Sequence, residues 1–304
     1  EIYTLSLHDA LPIFYINDLP ETCKKLFTLM FADDTSVFLK GNNITDMASV
    51  INDELSKLCT WLQVNKLSLN VNKTHYMLFT RKKVLPDIKI SINGKEISKV
   101  ESAKFLGVVV DSKLSWKEHI NSISKKIAKG IGIILKARDV LSKTALLNLY
   151  YAFVHPHLSY CNLIWGSTYK SNLEKLFKLQ KKAVRVISNV NIREHTHELF
   201  KELKILNIYK LNQYLTCIFM HRYKNKELPD VFDNMILELQ SVHDYYTRSC
   251  NNSYLPICHS NLAKFSLRYH GVSTWNKIGK NMVPCGNLFL FKKRLKQFLI
   301  FDDL

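Results

Sequence analysis

The sequence lacks several features that would place it in a specialised class of protein. No apolar run approaches the roughly 18 residues of a membrane-spanning helix, and no basic segment followed by an apolar one suggests a signal peptide. The seven cysteines are scattered without a C-x-x-C pair, so neither a disulfide framework nor a zinc knuckle is indicated. Repeats and low-complexity tracts are also missing. We expect a globular intracellular protein with reduced thiols, in the nucleus or the cytoplasm, neither secreted nor bound to a membrane.

Acidic residues are scarce relative to basic ones. The chain has 43 Lys and Arg against 26 Asp and Glu, a formal net charge of +17. Such an excess favours a polyanionic partner, of which nucleic acid is the first candidate. At 304 residues, of which 47% are hydrophobic, the chain can form roughly two domains with a core.

The first residues need separate treatment. Residues 1–13, EIYTLSLHDALPI, resemble the conceptual translation of a common sequencing-adapter oligonucleotide over their whole length. We therefore treat them as an adapter-derived artefact and exclude them from the fold and the site. A genuine short strand is the alternative, and natural genomic sequence running on upstream of Phe14 would support it.

Residues 26–39 carry the main candidate site, two apolar runs on either side of Asp33 and Asp34. Two strand-like segments separated by two turn-compatible residues predict a β-hairpin with both carboxylates at its tip. Carboxylate oxygens suit hard cations such as Mg²⁺ or Mn²⁺. The alternative is a hairpin that contains Asp only because Asp accepts turn geometry.

The remaining patterns predict an α+β fold. A helix is expected over residues 45–62 with Thr45 as its N-cap, a strand over 74–79, a hairpin around Asn93-Gly94 and a continuous apolar strand over 105–111. After Trp116 the apolar spacing changes to about 3.6 residues. This spacing predicts helices over residues 120–135, 145–161, 173–187, 203–223 and 288–301.

Several segments match motifs in a fixed order. Residues 15–20 read YINDLP and residues 31–34 read FADD. Further blocks follow the patterns WL..N.L.LN..KT..M.F over 61–79, FLGV.LD..L.W..HI over 105–120, P.LSYC...WG over 156–166 and R..G...WN over 268–276, with minor departures. Together they resemble the reverse transcriptases of non-LTR retrotransposons of the jockey type.

The resemblance implies catalytic roles for three residues. Asp33 and Asp34 would be the metal-binding catalytic pair, and Lys73 would donate a proton to the leaving pyrophosphate. From the residues alone, Lys73 is equally a solvated lysine between a turn and a strand, because general acid catalysis depends on geometry that sequence does not reveal.

The resemblance also implies a segment that grips the end of the primer, formed by Phe105, Leu106 and Gly107. Gly107 has a physical rationale, since a residue without a side chain allows another backbone to approach closely. A glycine at a β-bulge explains the same residue equally well.

Residues 173–187 have apolar side chains on one face of a helical wheel and cations on the other. Such a stripe could neutralise several phosphates in a sequence-independent way, although an ordinary solvated face is the alternative. The cations are Lys175, Lys178, Lys181, Lys182 and Arg185.

His155, His157 and Cys161 have side chains that can bind zinc. We reject a zinc site there because Pro156 breaks the geometry between the histidines and a fourth ligand is missing. The segment also falls within the P.LSYC...WG block, which implies a helical-domain motif.

The resemblance assigns the chain to three regions. It implies a partial polymerase palm, an antiparallel sheet with a helix, over residues 14–112. A helical thumb or connection region would follow over 113–228, then a C-terminal extension with a basic terminal helix over 229–304. The implied activity is RNA-directed DNA polymerisation, a nucleotidyl transfer with two Mg²⁺ or Mn²⁺ ions, an RNA template, a DNA primer or target, and deoxynucleoside triphosphates.

One element of the family pattern is not found. In the family a further essential aspartate lies on an earlier palm strand, and no counterpart of that strand lies between Phe14 and Asp33. We therefore expect a C-terminal fragment without the fingers and first palm motifs, inactive by itself. The alternative function is a non-catalytic nucleic-acid-binding remnant of such an element.

Overall fold

The computed structural model describes residues 15–32, 34–82, 84–238, 253–279 and 287–301. They form two compact units, divided between Ala103 and Lys104. The segment at residues 1–13 and the predicted catalytic residue Asp33 lie outside the described residues. Within the described ranges, no helix is long and apolar enough to span a membrane.

The first unit combines one long helix with short strands. Strands β1 and β2 pair antiparallel, as do β4 and β5, whereas β3 and β6 pair parallel. The elements are α1 (Leu19–Thr22), β1 (Phe27–Phe31), β2 (Asp34–Phe38), α2 (Ile44–Val64), a 3₁₀ turn (Val71–Lys73), β3 (His75–Tyr76), β4 (Ser91–Ile92), β5 (Lys95–Glu96) and β6 (Ser98–Lys99).

Helix α2 provides most of the apolar surface of this unit. Leu55 packs in one buried cluster with the isoleucines near β4 and β5, and Leu58 packs in another with Leu26. The helix is predicted, but its N-cap is not Thr45. Asn43 caps it instead, because its side-chain oxygen accepts a hydrogen bond from the backbone N–H of Thr45 at 3.1 Å.

The two strand predictions in this unit have different outcomes. The hairpin at Asn93-Gly94 is confirmed, and both turn residues have positive φ, 50° and 74°, as a two-residue turn between antiparallel strands requires. The strand predicted over residues 74–79 is limited to His75–Tyr76. Only those two residues find a partner strand, β6, so the alternating pattern overstates the length of the strand.

The second unit is mainly helical, and it begins within strand β7. Its largest buried cluster joins most of the helices. The elements are β7 (Ser102–Phe105), β8 (Val108–Asp111), α3 (Lys117–Ala137), α4 (Lys143–Phe153), α5 (His155–Ser159), α6 (Asn162–Trp165), α7 (Lys170–Ser188), α8 (His197–Glu202), α9 (Ile208–Lys224), a 3₁₀ turn (Asp230–Phe232), α10 (Asn261–Phe265), a π-helical turn (Leu267–Gly271), α11 (Val272–Lys277) and α12 (Leu288–Phe301).

Helices α3 and α7 lie side by side and run in the same direction. The Nδ2 of Asn172 donates to the carbonyl of Ser115 at 3.1 Å, and the Nζ of Lys175 donates to the Oδ1 of Asn121 at 2.8 Å. The helix predicted over residues 120–135 is confirmed within α3, and the isoleucines at 120, 123, 127, 131 and 134 are all buried. Leu135 lies in the same helix, but its side chain is 41% exposed.

Two predictions of continuous elements are wrong in this unit. The apolar segment 105–111 is two strands with a turn between them. The helix predicted over residues 145–161 is divided into α4 and α5, and Cys161 is the N-cap of α6. Pro156 stands near the start of α5, where the missing N–H is tolerated, and Cys161 adopts a left-handed φ of 49° that no α-helix continues through.

Candidate functional site

The hairpin predicted to carry the catalytic pair is present, but its turn is shifted by one residue. Phe31 pairs with Asp34 as the last register pair of β1 and β2, so β2 begins at Asp34. Ala32 has a φ of 53°, the left-handed conformation that a two-residue hairpin turn favours. Asp34 is therefore the first residue of β2 and not part of the turn, which corrects the prediction for this residue.

Asp34 lies on an apolar and exposed face of the hairpin. Because side chains alternate along a strand, Phe27, Leu29 and Phe31 lie on the same face of β1. Asp34 pairs with Phe31, so its side chain lies on that face as well. Phe31 is 65% exposed, and the rings of Phe27 and Phe38 are 6.1 Å apart. An exposed apolar surface of this kind usually contacts another group.

The described residues contribute a single carboxylate to a metal site at this hairpin. Asp34 is exposed and has no hydrogen-bond or ion-pair partner in the described part of the chain. In the ranges that the structure describes, no three His, Cys, Asp or Glu side chains are close enough to hold a metal. A single carboxylate fits the way proteins bind Mg²⁺, through one or two carboxylates together with substrate phosphates.

Lys73, the predicted general acid, ends the 3₁₀ turn Val71–Lys73 and is exposed. Its backbone is held at both ends, since its N–H donates to the carbonyl of Asn70 at 3.1 Å and its own carbonyl contacts the Nδ1 of His75 at 3.1 Å. No hydrogen bond or ion pair joins Lys73 to Asp34 among the described residues. The structure thus fixes the backbone of Lys73 and leaves its ammonium in solvent.

The predicted primer-grip residues form a tight turn. Leu106 and Gly107 connect β7 to β8 with positive φ values of 43° and 85°, and a two-residue link joins only antiparallel strands. The Oη–H of Tyr160 donates to the carbonyl of Leu106 at 2.6 Å. A Cβ on Gly107 would lie 3.3 Å from the Tyr160 ring. The left-handed φ and the close approach of the Tyr160 side chain explain this glycine, which lies in a two-residue turn and not at a β-bulge. The approach of another backbone to Gly107 stays a prediction.

A buried carboxylate shapes the chain just after this hairpin. Asp111 is 8% exposed, and its Oδ1 accepts hydrogen bonds from the N–H groups of Lys113 at 3.2 Å and Ser115 at 3.0 Å. Its Oδ2 accepts one from Trp116 at 2.8 Å. These bonds hold Trp116 at a left-handed φ of 64° and direct the chain into α3. Sequence reasoning missed this role, although an Asp at the end of a strand before a turn is a known signal for it.

His119 ties the same hairpin to the helices. Its Nδ1 accepts a hydrogen bond from the N–H of Val109 at 3.2 Å, and its ring packs against Trp165 with centroids 5.3 Å apart. Burial, and to a smaller extent the nearby Lys126, lowers the pKa of His119 to about 4. The imidazole is therefore neutral at pH 7, as accepting that hydrogen bond requires.

Two motif blocks that are distant in sequence meet at this point. The indole N–H of Trp165 donates to the carbonyl of Tyr160 at 2.9 Å, and the hydroxyl of Thr168 donates to the carbonyl of Ser115 at 3.2 Å. The Tyr160–Leu106 hydrogen bond and the His119–Trp165 ring contact therefore join the FLG block to the LSYC...WG block. Sequence reasoning placed both blocks but did not bring them together.

The predicted helix with a cationic stripe is confirmed as α7, with its apolar face buried at Leu176, Ala183, Val184 and Ile187. The cations do not form one uniform stripe. Lys178 and Lys182 are exposed and have no partner among the described residues. The others make contacts: Lys175 with Asn121, Lys181 over the ring of Phe177 at 4.2 Å, and Arg185 through its Nε to the carbonyl of Glu194 at 2.9 Å.

Sequence reasoning missed a buried polar residue on α7. Gln180 is fully buried, and its Nε2 donates to the Tyr150 hydroxyl at 2.8 Å and to the Leu206 carbonyl at 3.0 Å. Its Oε1 accepts from the N–H of Ile208 at 2.8 Å, so it joins α4, α7 and α9. Only its place on the apolar face of the wheel could have indicated this role.

A second polar network lies beside Gly166 and includes His270 of the R..G...WN block. The Nδ2 of Asn212 donates to the Oδ1 of Asn162 at 2.9 Å, and the Oδ1 of Asn212 contacts the Nε2 of His270 at 2.8 Å. A Cβ on Gly166 would lie 2.6 Å from the Nδ2 of Asn212. These motif residues therefore support the packing of α6 against α9.

Sequence comparison finds curated relatives over more than half of the chain. The chain is 28% identical over 197 residues to "RNA-directed DNA polymerase from mobile element jockey" of Drosophila melanogaster, a match covering 63% of this chain and 21% of that protein. It is 24% identical over 202 residues to "Probable RNA-directed DNA polymerase from transposon X-element" of Drosophila melanogaster, covering 64% and 22%. A third relative is "Retrovirus-related Pol polyprotein from type-1 retrotransposable element R1 2" of Nasonia vitripennis, 24% identical over 234 residues, covering 70% and 56%.

The matched segment thus spans about a fifth of the length of the first two relatives. No protein-family model and no solved structure matches the chain.

Proposed function

We propose that this chain is a fragment of a reverse transcriptase from a non-LTR retrotransposon of the jockey type. Its curated relatives are RNA-directed DNA polymerases of such elements, and this finding confirms the resemblance predicted from the motifs. We assign residues 14–112 to the end of the palm, residues 113–228 to the helical thumb or connection region, and residues 229–304 to the C-terminal extension. Its substrates in the intact enzyme are an RNA template, a DNA primer or target, and deoxynucleoside triphosphates.

The observation that carries this proposal is the β1–β2 hairpin in its motif context. The YINDLP segment precedes a hairpin whose second strand opens with an exposed carboxylate, Asp34. In the intact enzyme, Asp34 together with Asp33 holds Mg²⁺ or Mn²⁺, which supplies electrostatic stabilisation to phosphoryl transfer. The chain's own part is to position that carboxylate at the start of β2, beside the exposed apolar face.

The β7–β8 hairpin has the second role. Its turn presents main-chain groups of Leu106 and Gly107 on a support fixed by Tyr160 and Asp111. Such a fixed support would place the primer end reproducibly. Lys73 is assigned the protonation of pyrophosphate, for which its exposed ammonium is accessible.

Primer extension on an RNA template with Mg²⁺ tests the proposal. The 304-residue chain is expected to extend no primer, because its two aspartates supply only part of a two-metal cage. The complete open reading frame of an element encoding this segment is expected to extend it. Robust metal-dependent incorporation by the chain itself would refute the first expectation, and inactivity of the complete protein would refute the second.

The alternative, a non-catalytic nucleic-acid-binding remnant, is favoured by the exposed cations Lys178 and Lys182 together with the net charge. It predicts that Asp34→Ala leaves nucleic-acid affinity and any cellular effect unchanged. A phenotype that depends on Asp34 would exclude this alternative.

A further inference from the structure

A buried carboxylate on α2 lies beside the chain that leads into the β1–β2 hairpin. Glu54 is 1% exposed, and its Oε2 accepts a hydrogen bond from the backbone N–H of Lys25 at 3.2 Å. Its Oε1 accepts another from the Nζ of Lys57 at 2.6 Å, and this bond holds the pKa of Glu54 below its usual range. Glu54 is therefore ionised at pH 7, with a partner for each carboxylate oxygen.

The segment that Glu54 holds connects α1 to β1. The thiol of Cys23 donates to the main-chain carbonyl of Glu54 at 3.6 Å. Leu26 packs with Leu58 of α2 in a buried cluster. The segment is thus attached to α2 by hydrogen bonds at Cys23 and Lys25 and by an apolar contact at Leu26, and β1 begins at the next residue.

These contacts lie at the base of the hairpin, whereas Asp34 lies at its other end. In the part of the chain that the structure describes, β1 and β2 form a two-stranded sheet, and Phe31 and Asp34 are both exposed. The five residues of β1 rise about 3.3 Å each, so a rotation of about 5° at the base displaces the Asp34 end by roughly 1 Å. A displacement of that size can lower a catalytic rate by about 100-fold.

We propose that Glu54 is a positioning residue for the carboxylate of Asp34, because it fixes the main chain at the base of the hairpin. This inference rests on the proposed function, in which Asp34 binds the metal ion. Glu54 acts through the N–H of Lys25 and the direction of β1. What matters is therefore the reach of its oxygen more than its charge.

Three variants of Glu54 separate reach from charge. Glu54→Gln removes the charge but keeps an oxygen that can accept from Lys25, while Lys57, whose side chain is 55% exposed, turns to water. Glu54→Asp keeps the charge but draws the oxygens back by one methylene from an N–H that already lies at 3.2 Å. Glu54→Leu removes both charge and acceptor and leaves an apolar side chain suited to burial.

RNA-templated primer extension by the complete polymerase measures the effect on catalysis. Glu54→Asp and Glu54→Leu should lower kcat roughly ten-fold at saturating substrates, with an unchanged KM for deoxynucleoside triphosphate, because the displaced carboxylate acts in the transition state. Glu54→Gln should stay within about two-fold of the wild type in both constants.

Leu55→Ala is the control for stability. Leu55 is the neighbouring buried residue of α2 and packs in the cluster near β4 and β5, which does not include the hairpin. Its truncation should lower the stability of the first unit by leaving a cavity. The kcat of the folded enzyme should not change, so a fall in kcat that only reflects stability would appear in this variant too.

Hydrogen exchange of the 304-residue chain gives a measurement that does not depend on activity. The amides of Lys25 and β1 should exchange roughly ten-fold faster in Glu54→Asp and Glu54→Leu than in the wild type or Glu54→Gln, since the anchor at the base is lost. In Leu55→Ala the faster exchange should instead lie near β4 and β5.

The outcomes separate this inference from the function on which it rests. Low kcat in Glu54→Gln with normal kcat in Glu54→Asp would show that charge matters and reach does not, and would overturn the inference. Wild-type kcat in every Glu54 variant, with activity lost in Asp34→Asn, overturns it and leaves the proposed function intact. If Glu54→Leu does not fold, the Asp and Gln variants decide the same question. An inactive complete polymerase overturns both proposals.

Discussion

The hydroxyl of Tyr160 donates a hydrogen bond to the carbonyl of Leu106 at 2.6 Å, and its ring covers the face of Gly107, where an added Cβ would lie 3.3 Å away. One side chain therefore holds the turn between β7 and β8 by a polar and a steric contact. This turn contains the residues assigned to the primer grip, and the side chain that holds it belongs to the same helical unit. Variants of the turn can therefore be tested by the free energy of unfolding as well as by polymerase activity.

Gly107→Ala should destabilise the second unit by about 1–2 kcal/mol, because alanine at a φ of 85° is strained and its Cβ meets Tyr160. Gly132→Ala is the matched control. Gly132 lies within α3 with nothing within 4 Å of an added Cβ, so that variant should gain about 0.5–1 kcal/mol. Urea unfolding compares the two, and equal effects would contradict the assigned turn geometry.

Tyr160→Phe removes the hydrogen bond to Leu106 but keeps the ring. We expect a loss of about 1 kcal/mol or less, since Tyr160 is 54% exposed and water can replace the donor. In the complete polymerase this variant should also reduce primer extension. Tyr169→Phe, also at an exposed tyrosine on the helical unit, is the control and should change neither property.

The stability of the second unit should fall in mild acid. The folded pKa of His119 is about 4, below the ordinary value of 6.5, so the unfolded chain binds the proton more readily. The stability from neutral His119 is fully present above about pH 6.5 and is lost as the pH falls towards 4. The loss should be on the order of 2 kcal/mol between pH 7 and pH 5.

Burial lowers the pKa of His155, His157 and His270 in the same direction, so they add to this loss. His119→Asn can still accept the hydrogen bond from Val109 but does not titrate. Its unfolding free energy should depend less on pH than that of the wild type. An unchanged pH profile would show that His119 does not contribute.

Reversing the charge of Lys178 and Lys182 should weaken nucleic-acid binding and make it less dependent on salt. The slope of the logarithm of the binding constant against the logarithm of the salt concentration should fall by roughly 0.9 for each phosphate that the variant no longer neutralises. Arg185 is left intact, because its Nε bonds the Glu194 carbonyl and its reversal would disturb the fold. Lys89→Glu with Lys95→Glu, at exposed positions of the first unit, is the control for net charge. Equal losses in both pairs would mean that α7 binds no differently from the rest of the surface.

Helical periodicity predicted most of the second unit because its helices bury one continuous face. The isoleucines of α3 and the apolar face of α7 recur at regular spacing, and nothing in the local sequence opposes the helix. Helix α12 was predicted over residues 288–301 and is found over Leu288–Phe301. These elements depend on local pattern, which the sequence contains in full.

The errors occur where distant groups decide the local structure. The run FLGVVVD is apolar throughout, so its turn at Leu106 depends on Tyr160, which lies far along the chain. Gln180 is polar on an apolar face because its three partners come from other elements. The position of the turn before Asp34 depends on the register in which β1 and β2 pair, and the apolar pattern of the sequence does not determine that register.

The central claim is that Asp34 binds metal for nucleotidyl transfer, and Asp34→Asn in the complete polymerase tests it most directly. RNA-templated primer extension should fall at least a hundred-fold, because the amide cannot supply the charge that the metal requires. Asp46→Asn, at an exposed carboxylate in the first turn of α2, should retain activity. Equal activity of the Asp34 variant and the Asp46 control, at saturating Mg²⁺, would contradict the catalytic assignment of this hairpin.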